Sequence, residues 1–169
     1  MKNSSKIISF TIGAIAIIAL PIWMNFSIKI VYNPSVSAPV GYYWVHEVGV
    51  NELEIGSYVV TPTPLKYRLM AAERHYLPIN VPLIKRVVAL SGDEICRQHL
   101  TVSINGKPTV EALIADKRGR ELPSWSGCFT LKSDEFFALM DAKDSFDGRY
   151  FGALKVSDVI GIATLIWRW

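Results

Sequence analysis

Leu83-Ile-Lys-Arg-Val-Val-Ala-Leu90 is an apolar run with two cations set inside it. Its length and its β-branched content predict a strand. Strand side chains alternate between faces. Leu83, Lys85, Val87 and Ala89 therefore share one face, and Ile84, Arg86, Val88 and Leu90 share the other. Both faces are mainly apolar, so the strand is expected to be buried on both sides, with Lys85 among three apolar neighbours. A lysine in water has a pKa near about 10.4. Burial disfavours the cation and lowers that value; a shift of about 3 units corresponds to roughly 4 kcal/mol. A lysine so placed either runs its amine to the strand edge or serves as a proton acceptor for a nucleophile.

Short strand signals surround this one. Tyr42-Tyr-Trp-Val-His46 is aromatic and β-branched, and Ser57-Tyr-Val-Val-Thr-Pro62 is bounded by Gly56 and Pro62. Leu65 to Arg74 is the one clear helical stretch after the N-terminal run, with Leu65, Leu69 and Ala72 on one face. Ser91-Gly-Asp93 predicts a turn. Glu94–Cys96 and Leu100–Ile104 follow as strands, and Asn105-Gly106 is a strong hairpin signal. Asp116 to Glu121 reads as a charged, solvated loop. Phe129–Leu131, Phe136–Met140 and Val159–Trp167 complete the strands. Many short strands with one brief helix predict a mainly β, antiparallel domain.

The N-terminal region reads differently. Lys6 and Lys29 enclose a run with no charge, Ile7 to Ile28, and about 20 apolar residues suffice for a helix to cross a bilayer. Trp23 and Phe26 stand where an interfacial belt is expected. The run exceeds the roughly 7–15-residue core of a cleaved signal peptide, and Asn25-Phe-Ser-Ile-Lys29 makes a poor cleavage site. The expected organisation is a cytoplasmic N-terminus over 1–6, a single transmembrane anchor over 7–28 and a domain over 29–169 outside the cytoplasm. Lys2 and Lys6 set that orientation by the excess of positive charge on the cytoplasmic side. The net charge is only +3 and the cations are scattered, so a nucleic-acid surface is not expected. Weak attraction to anionic membrane lipid is consistent with this charge. Cys96 and Cys128 are the two cysteines. In an oxidising compartment they suggest a disulfide. No histidine pair accompanies them, so neither a metal nor any other cofactor is expected.

Two further stretches carry chemistry. Ser37 lies in Asn33-Pro-Ser-Val-Ser-Ala-Pro-Val-Gly41, where proline and glycine fix the backbone. Asp141-Ala-Lys-Asp-Ser-Phe-Asp-Gly-Arg-Tyr-Phe-Gly152 is a polar cluster: a charged surface turn, or a loop whose carboxylates, Arg149 and Ser145 brace a site. With the lysine strand, these stretches resemble the type I signal peptidases of the Ser-Lys class, and most of all the TraF-type peptidases of conjugative transfer. Ser35-Val-Ser37-Ala-Pro39-Val-Gly41 is similar to that family's nucleophile box, Lys85 to Asp93 to its lysine box, and Ser145 to Gly152 to its C-terminal box.

The resemblance implies a signal-peptidase-like antiparallel β domain behind an N-terminal transmembrane helix. It implies Ser37 as nucleophile and Lys85 as general base. Ser35 and the Ser37 amide would form the oxyanion site, Ser145 would hold the lysine, and Asp147 with Arg149 would form a structural ion pair. It places the chain in a bacterial inner membrane with the catalytic domain in the periplasm, acting on a precursor protein. Ala38, Ser91, Asp141-Ala-Lys143 and Gly56-Ser57 depart from the general signal peptidases. Cys96 and Trp125-Ser-Gly-Cys128 are similar to the conjugative branch, whose implied substrate is a pilin precursor, released as a linear or a cyclic product. A general peptidase for exported pre-proteins and a non-catalytic scaffold of a secretion or pilus apparatus are the alternatives. A Ser-His-Asp hydrolase is disfavoured, since no G-x-S-x-G is present.

Overall fold

The computed structural model describes residues 10, 11, 13, 15, 29–47 and 53–168. Residues 1–6 and all of the expected anchor except Phe10, Thr11, Gly13 and Ile15 lie outside the described residues. Among those described, no helix is long and apolar enough to cross a membrane.

The described residues from 29 onward form two antiparallel sheets. The larger contains β1 (Lys29–Asn33), β2 (Gly41–His46), β3 (Tyr58–Thr61), β4 (Leu83–Ala89), β9 (Glu135–Leu139), β10 (Leu154–Lys155) and β11 (Gly161–Arg168), in the order β1-β2-β11-β3-β4-β9-β10. The smaller contains β5 (Glu94–Gln98), β6 (Thr101–Ile104), β7 (Lys107–Glu111) and β8 (Gly127–Thr130), in the order β7-β6-β5-β8. Helix α1 spans Leu65–Glu73 and α2 spans Gly148–Phe151. The expected mainly β, antiparallel domain is present.

Sequence pattern explains most of this arrangement. In β2 burial alternates strictly: Tyr43 and Val45 turn inward while Tyr42, Trp44 and His46 face out. Strand β4 is central, between β3 and β9. Leu83, Lys85, Val87 and Ala89 are all buried there, as their shared parity requires. Asn105 and Gly106 take φ values of 50° and 76°, the left-handed pair of a two-residue hairpin, and Ile104 pairs with Lys107 across it. Gly41 is required by close approach: a Cβ there would lie 2.0 Å from the Trp167 carbonyl oxygen of the adjacent strand. Ile95, Val102, Phe137, Leu139 and Leu131 form one cluster that joins the small sheet to the large one, each fully buried side chain contributing about 1.5–3 kcal/mol. Cys96 and Cys128 lie directly opposite each other in β5 and β8 and are disulfide-bonded.

Helix α1 forms as expected; Leu65 and Leu69 are 79% and 64% exposed, and Ala71 is its buried residue. The Tyr67 ring, on the Ala71 side, meets Phe146 and Phe151, and this aromatic contact outweighs the two leucines in setting the helix's rotation. The 116–121 segment is not simply solvated. Ala115 bridges to Glu121, and Asp116 is held by several donors. Strands β1, β7 and β10 had no counterpart in the sequence reading.

Candidate active site

The loop between β1 and β2 is built by one side chain. Asn33 is buried, and its Nδ2 donates to the carbonyls of Ser35, Ala38 and Pro39 at 2.9, 3.3 and 3.2 Å. Its Oδ1 accepts from the Ser35 amide at 3.1 Å, a local turn that asparagine forms readily. The Tyr43 hydroxyl donates to the Pro39 carbonyl at 2.7 Å. Ala38 is buried beneath the loop, and Ser35 and Ser37 are left on its open side. Their hydroxyl oxygens are 2.9 Å apart, and the Ser37 amide donates to Ser35 Oγ at 3.3 Å. The Ser35 hydroxyl is thus bonded to both the hydroxyl and the amide of Ser37 on the open side of the loop.

Lys85 comes from the central strand β4, opposite Val59 of β3, and is only 3% exposed. Its Nζ donates to Ser145 Oγ at 2.9 Å. Its pKa is lowered from 10.5 to about 8. Desolvation by burial is the main cause; the Asp147 carboxylate opposes it, and Arg149 adds to it. At pH 7 about one in ten of such amines is unprotonated.

The segment that carries Ser145 is braced from below. Asp147 and Arg149 are 0% and 1% exposed and pair at 2.8 Å. Asp147 also accepts from the Met140 and Arg149 amides. Arg149 donates to the carbonyls of Met140 and Lys143 at 2.6 and 3.1 Å. The whole buried fork of its guanidinium is therefore used, as burial of a charge demands. Arg97, buried in β5, donates to the Arg149 carbonyl at 2.6 Å and ties the small sheet to this brace.

Ser35, Ser37, Lys85 and Ser145 line one cleft of about 840 Å³. Val31, Val36, Leu83 and Ile84 add apolar walls, and residues of the 113–122 segment close another part of it. Ser37 Oγ bonds to Ser35, and Lys85 Nζ bonds to Ser145. No hydrogen bond joins Ser37 to Lys85 among the described residues; active sites without substrate often show such loose geometry. Asn33, Tyr43 and Arg97 were not singled out in the sequence. Asn33-Pro34 at the head of the serine loop is the turn signal that could have marked the first of them.

Known proteins resemble this chain over most of its length. The profile of signal peptidase, peptidase S26, matches residues 1–169. A plasmid transfer protein TraF of Escherichia coli is 34% identical over 148 residues, covering 81% of this chain and 82% of that protein. A second Escherichia coli plasmid transfer protein TraF is 33% identical with the same coverage. A probable conjugal transfer protein TraF of Sinorhizobium fredii is 31% identical over 84 residues, 48% of this chain and 44% of that protein. A crystal structure of a signal peptidase I from Enterococcus faecalis aligns with 69% of this chain at 20% identity, covering all of that chain, with a TM-score of 0.40. The chain belongs to the signal peptidase family, peptidase S26, and is related to the TraF plasmid transfer proteins.

Proposed function

We propose that this chain is a membrane-anchored serine endopeptidase in which Ser37 is the nucleophile and Lys85 its general base. The observation that carries the reading is a buried lysine of lowered pKa lining the same cleft as a pair of hydrogen-bonded serines. Neutral Lys85 takes the proton from Ser37 Oγ as that oxygen bonds to the scissile carbonyl carbon. The resulting oxyanion is met by the Ser35 hydroxyl and the Ser37 amide. The carbon–nitrogen bond then breaks, and the Lys85 ammonium returns its proton to the leaving amine. Water, or an amine of the substrate itself, attacks the acyl ester while Lys85 accepts its proton; the bond from the acyl carbon to Ser37 Oγ then breaks and Lys85 returns that proton to Ser37 Oγ. The second route yields a cyclic peptide. Ser145 keeps the amine aimed, and the Asp147–Arg149 pair keeps Ser145 in place.

The substrate in this reading is a pilin precursor of a conjugative apparatus, supported by the relationship to plasmid transfer proteins. The uncharged run 7–28 is the proposed anchor in a bacterial inner membrane. The disulfide is consistent with a periplasmic domain. Mass spectrometry of the pilin from cells carrying wild type, Ser37→Ala or Lys85→Ala tests the proposal. The expected result is a processed product with wild type alone, with loss of one water if the product is cyclic.

A second reading is a non-catalytic scaffold of the same apparatus. It is favoured by the separate hydrogen bonding of Ser37 and Lys85. Unchanged pilin maturation in the Ser37→Ala strain would establish it.

A further inference from the structure

The part of the cleft formed by residues 116–120 has no role in the chemistry above, yet it is a built element. Asp116 accepts from the amides of Arg118 and Arg120 at 2.9 Å each and from Arg120 Nε at 2.7 Å. The Tyr76 hydroxyl, from beyond α1, donates to it at 2.6 Å. The Tyr76 and Arg120 bonds hold the Asp116 carboxyl well below the usual carboxylate range. Gly119 takes a φ of 74° and donates to the Asp116 carbonyl, closing a tight loop. Asp116 is thus consumed in shaping the loop, and Arg120 is the cation that neutralises it.

The remaining charge is positive. Arg74, Lys117, Arg118 and Arg120 line the cleft against Asp116 and Asp144. Lys117 pairs with Asp144 at 2.6 Å. Arg74 Nη1 donates to a backbone carbonyl, that of Glu121, and so keeps its charge. The Arg118 guanidinium is exposed and makes no hydrogen bond or ion pair among the described residues. Two cations are left without an anion, on a loop whose backbone is fixed in advance.

Position gives these cations a direction. Asp144, the partner of Lys117, precedes Ser145, which holds Lys85. In the proposed reaction Lys85 hands its proton to the leaving nitrogen, so the leaving segment lies on the Lys85–Ser145 side. The oxyanion lies on the Ser35 side.

We propose that the 116–120 loop, with Arg118 foremost, is a subsite for a carboxylate on the leaving segment of the substrate. The inference rests on the Ser37–Lys85 reading for its direction, and its test is therefore made by binding rather than turnover. The ligand chemistry is one carboxylate, from an acidic side chain or from the free C-terminus of a short leaving peptide.

The experiment uses full-length Ser37→Ala chain and four fluorescent alanine-rich peptides. Each carries glutamate or glutamine near its C-terminus, as free acid or as amide, and affinity is read by anisotropy. The glutamate or free-acid forms are expected to bind about fivefold more tightly per carboxylate, the scale of one partly exposed charge pair. The advantage is expected to shrink between about 0.05 M and about 0.5 M salt. Arg118→Glu abolishes the advantage and Arg118→Lys retains most of it. The arm that shows the gain identifies the side-chain or the terminal carboxylate as the source. Equal affinity for all four peptides overturns the proposal, as does a preference that survives Arg118→Glu. Failure of the catalytic reading appears elsewhere, as unprocessed pilin in cells with wild type.

Discussion

The serine loop and the lysine side of the cleft are held by opposite means. The 33–39 loop hangs on neutral hydrogen bonds from Asn33 and Tyr43, and its working hydroxyls remain open to solvent. Lys85, Ser145, Asp147 and Arg149 are at most 3% exposed, and an ion pair with backbone partners fixes their segment. The contrast follows from what each side is asked to do. A nucleophile has to be reached by a peptide. A lysine base has to be dry, since desolvation is the main cause that brings its pKa toward neutrality, with Arg149 adding to it. The two sides should therefore respond differently to substitution: the lysine side in stability and pH dependence, the serine side in rate alone.

The largest effect is expected at Lys85. Lys85→Met removes the proposed base and should lower precursor cleavage by at least about a thousandfold, measured by single-turnover assay. Wild-type rate should rise with pH through a midpoint of about 8, because the proposed reaction uses the unprotonated amine. Stability moves the other way for the variant. Lys85 falls from 10.5 unfolded to about 8 folded, so the unfolded chain binds the extra proton. Below pH 8 the folded state carries the whole penalty, of about 3 kcal/mol. It is relieved as pH climbs from about 8 toward 10.5. Lys85→Met also forfeits the Ser145 bond, about 1 kcal/mol. It should therefore be more stable than wild type by about 2 kcal/mol at pH 6, with the gain fading above pH 8. A Lys85→Met variant that is less stable at pH 6 would mean the amine is hydrated.

Next in size is the brace. Arg149→Met leaves the Asp147 carboxylate buried without its cation and should destabilise the domain by about 3–5 kcal/mol, read from denaturant midpoints. On the serine side, Asn33→Ala removes three donations to the loop carbonyls but no charge. Cleavage should fall about tenfold to a hundredfold through misplacement of Ser37. The pH midpoint should stay where it is, because Lys85 does not touch the loop's hydrogen bonds. If Asn33→Ala moved the midpoint, the two sides would not be independent.

How much of this could be read from the chain depends on the range over which each feature is determined. The burial of Lys85 follows from strand parity alone, a local property of Leu83 to Leu90. The Asn105–Gly106 hairpin is equally local. The rotation of α1 is not set by local pattern: apolar periodicity weighs Leu65 and Leu69, whereas Tyr67 finds Phe146 and Phe151 far along the chain. The 116–121 loop looked merely solvated because its charges carry no apolar pattern, yet Asp116 is held locally by Arg118 and Arg120 and at long range by Tyr76, 40 residues away. Asn33 was overlooked since its partners are backbone carbonyls, which leave no mark in side-chain pattern. Motif spacing named the residues that line the cleft; the bonds that hold the serine loop and the brace are mostly local, and Lys85–Ser145 and Arg97–Arg149 are the ones that reach far along the chain.

Thr61 gives the smallest and most diagnostic test of the dry side. It pairs with Leu83 across β3 and β4, as Val59 pairs with Lys85, so it lies on the lysine's face of the sheet. It is 0% exposed, and its Oγ1 has no hydrogen-bond partner among the described residues. A buried hydroxyl left unpaired destabilises by about 1–3 kcal/mol. Thr61→Val keeps the branched shape and removes the hydroxyl, so stability should rise by about 1 kcal/mol. A less polar neighbour would also carry the rate midpoint of Lys85 slightly below about 8. If Thr61→Val instead lost stability and raised the midpoint, an ordered water would have to bridge Thr61 beneath the lysine. The base would then owe its neutrality to that water's orientation rather than to desolvation, and the contrast between a wet nucleophile and a dry base would fail at its buried end.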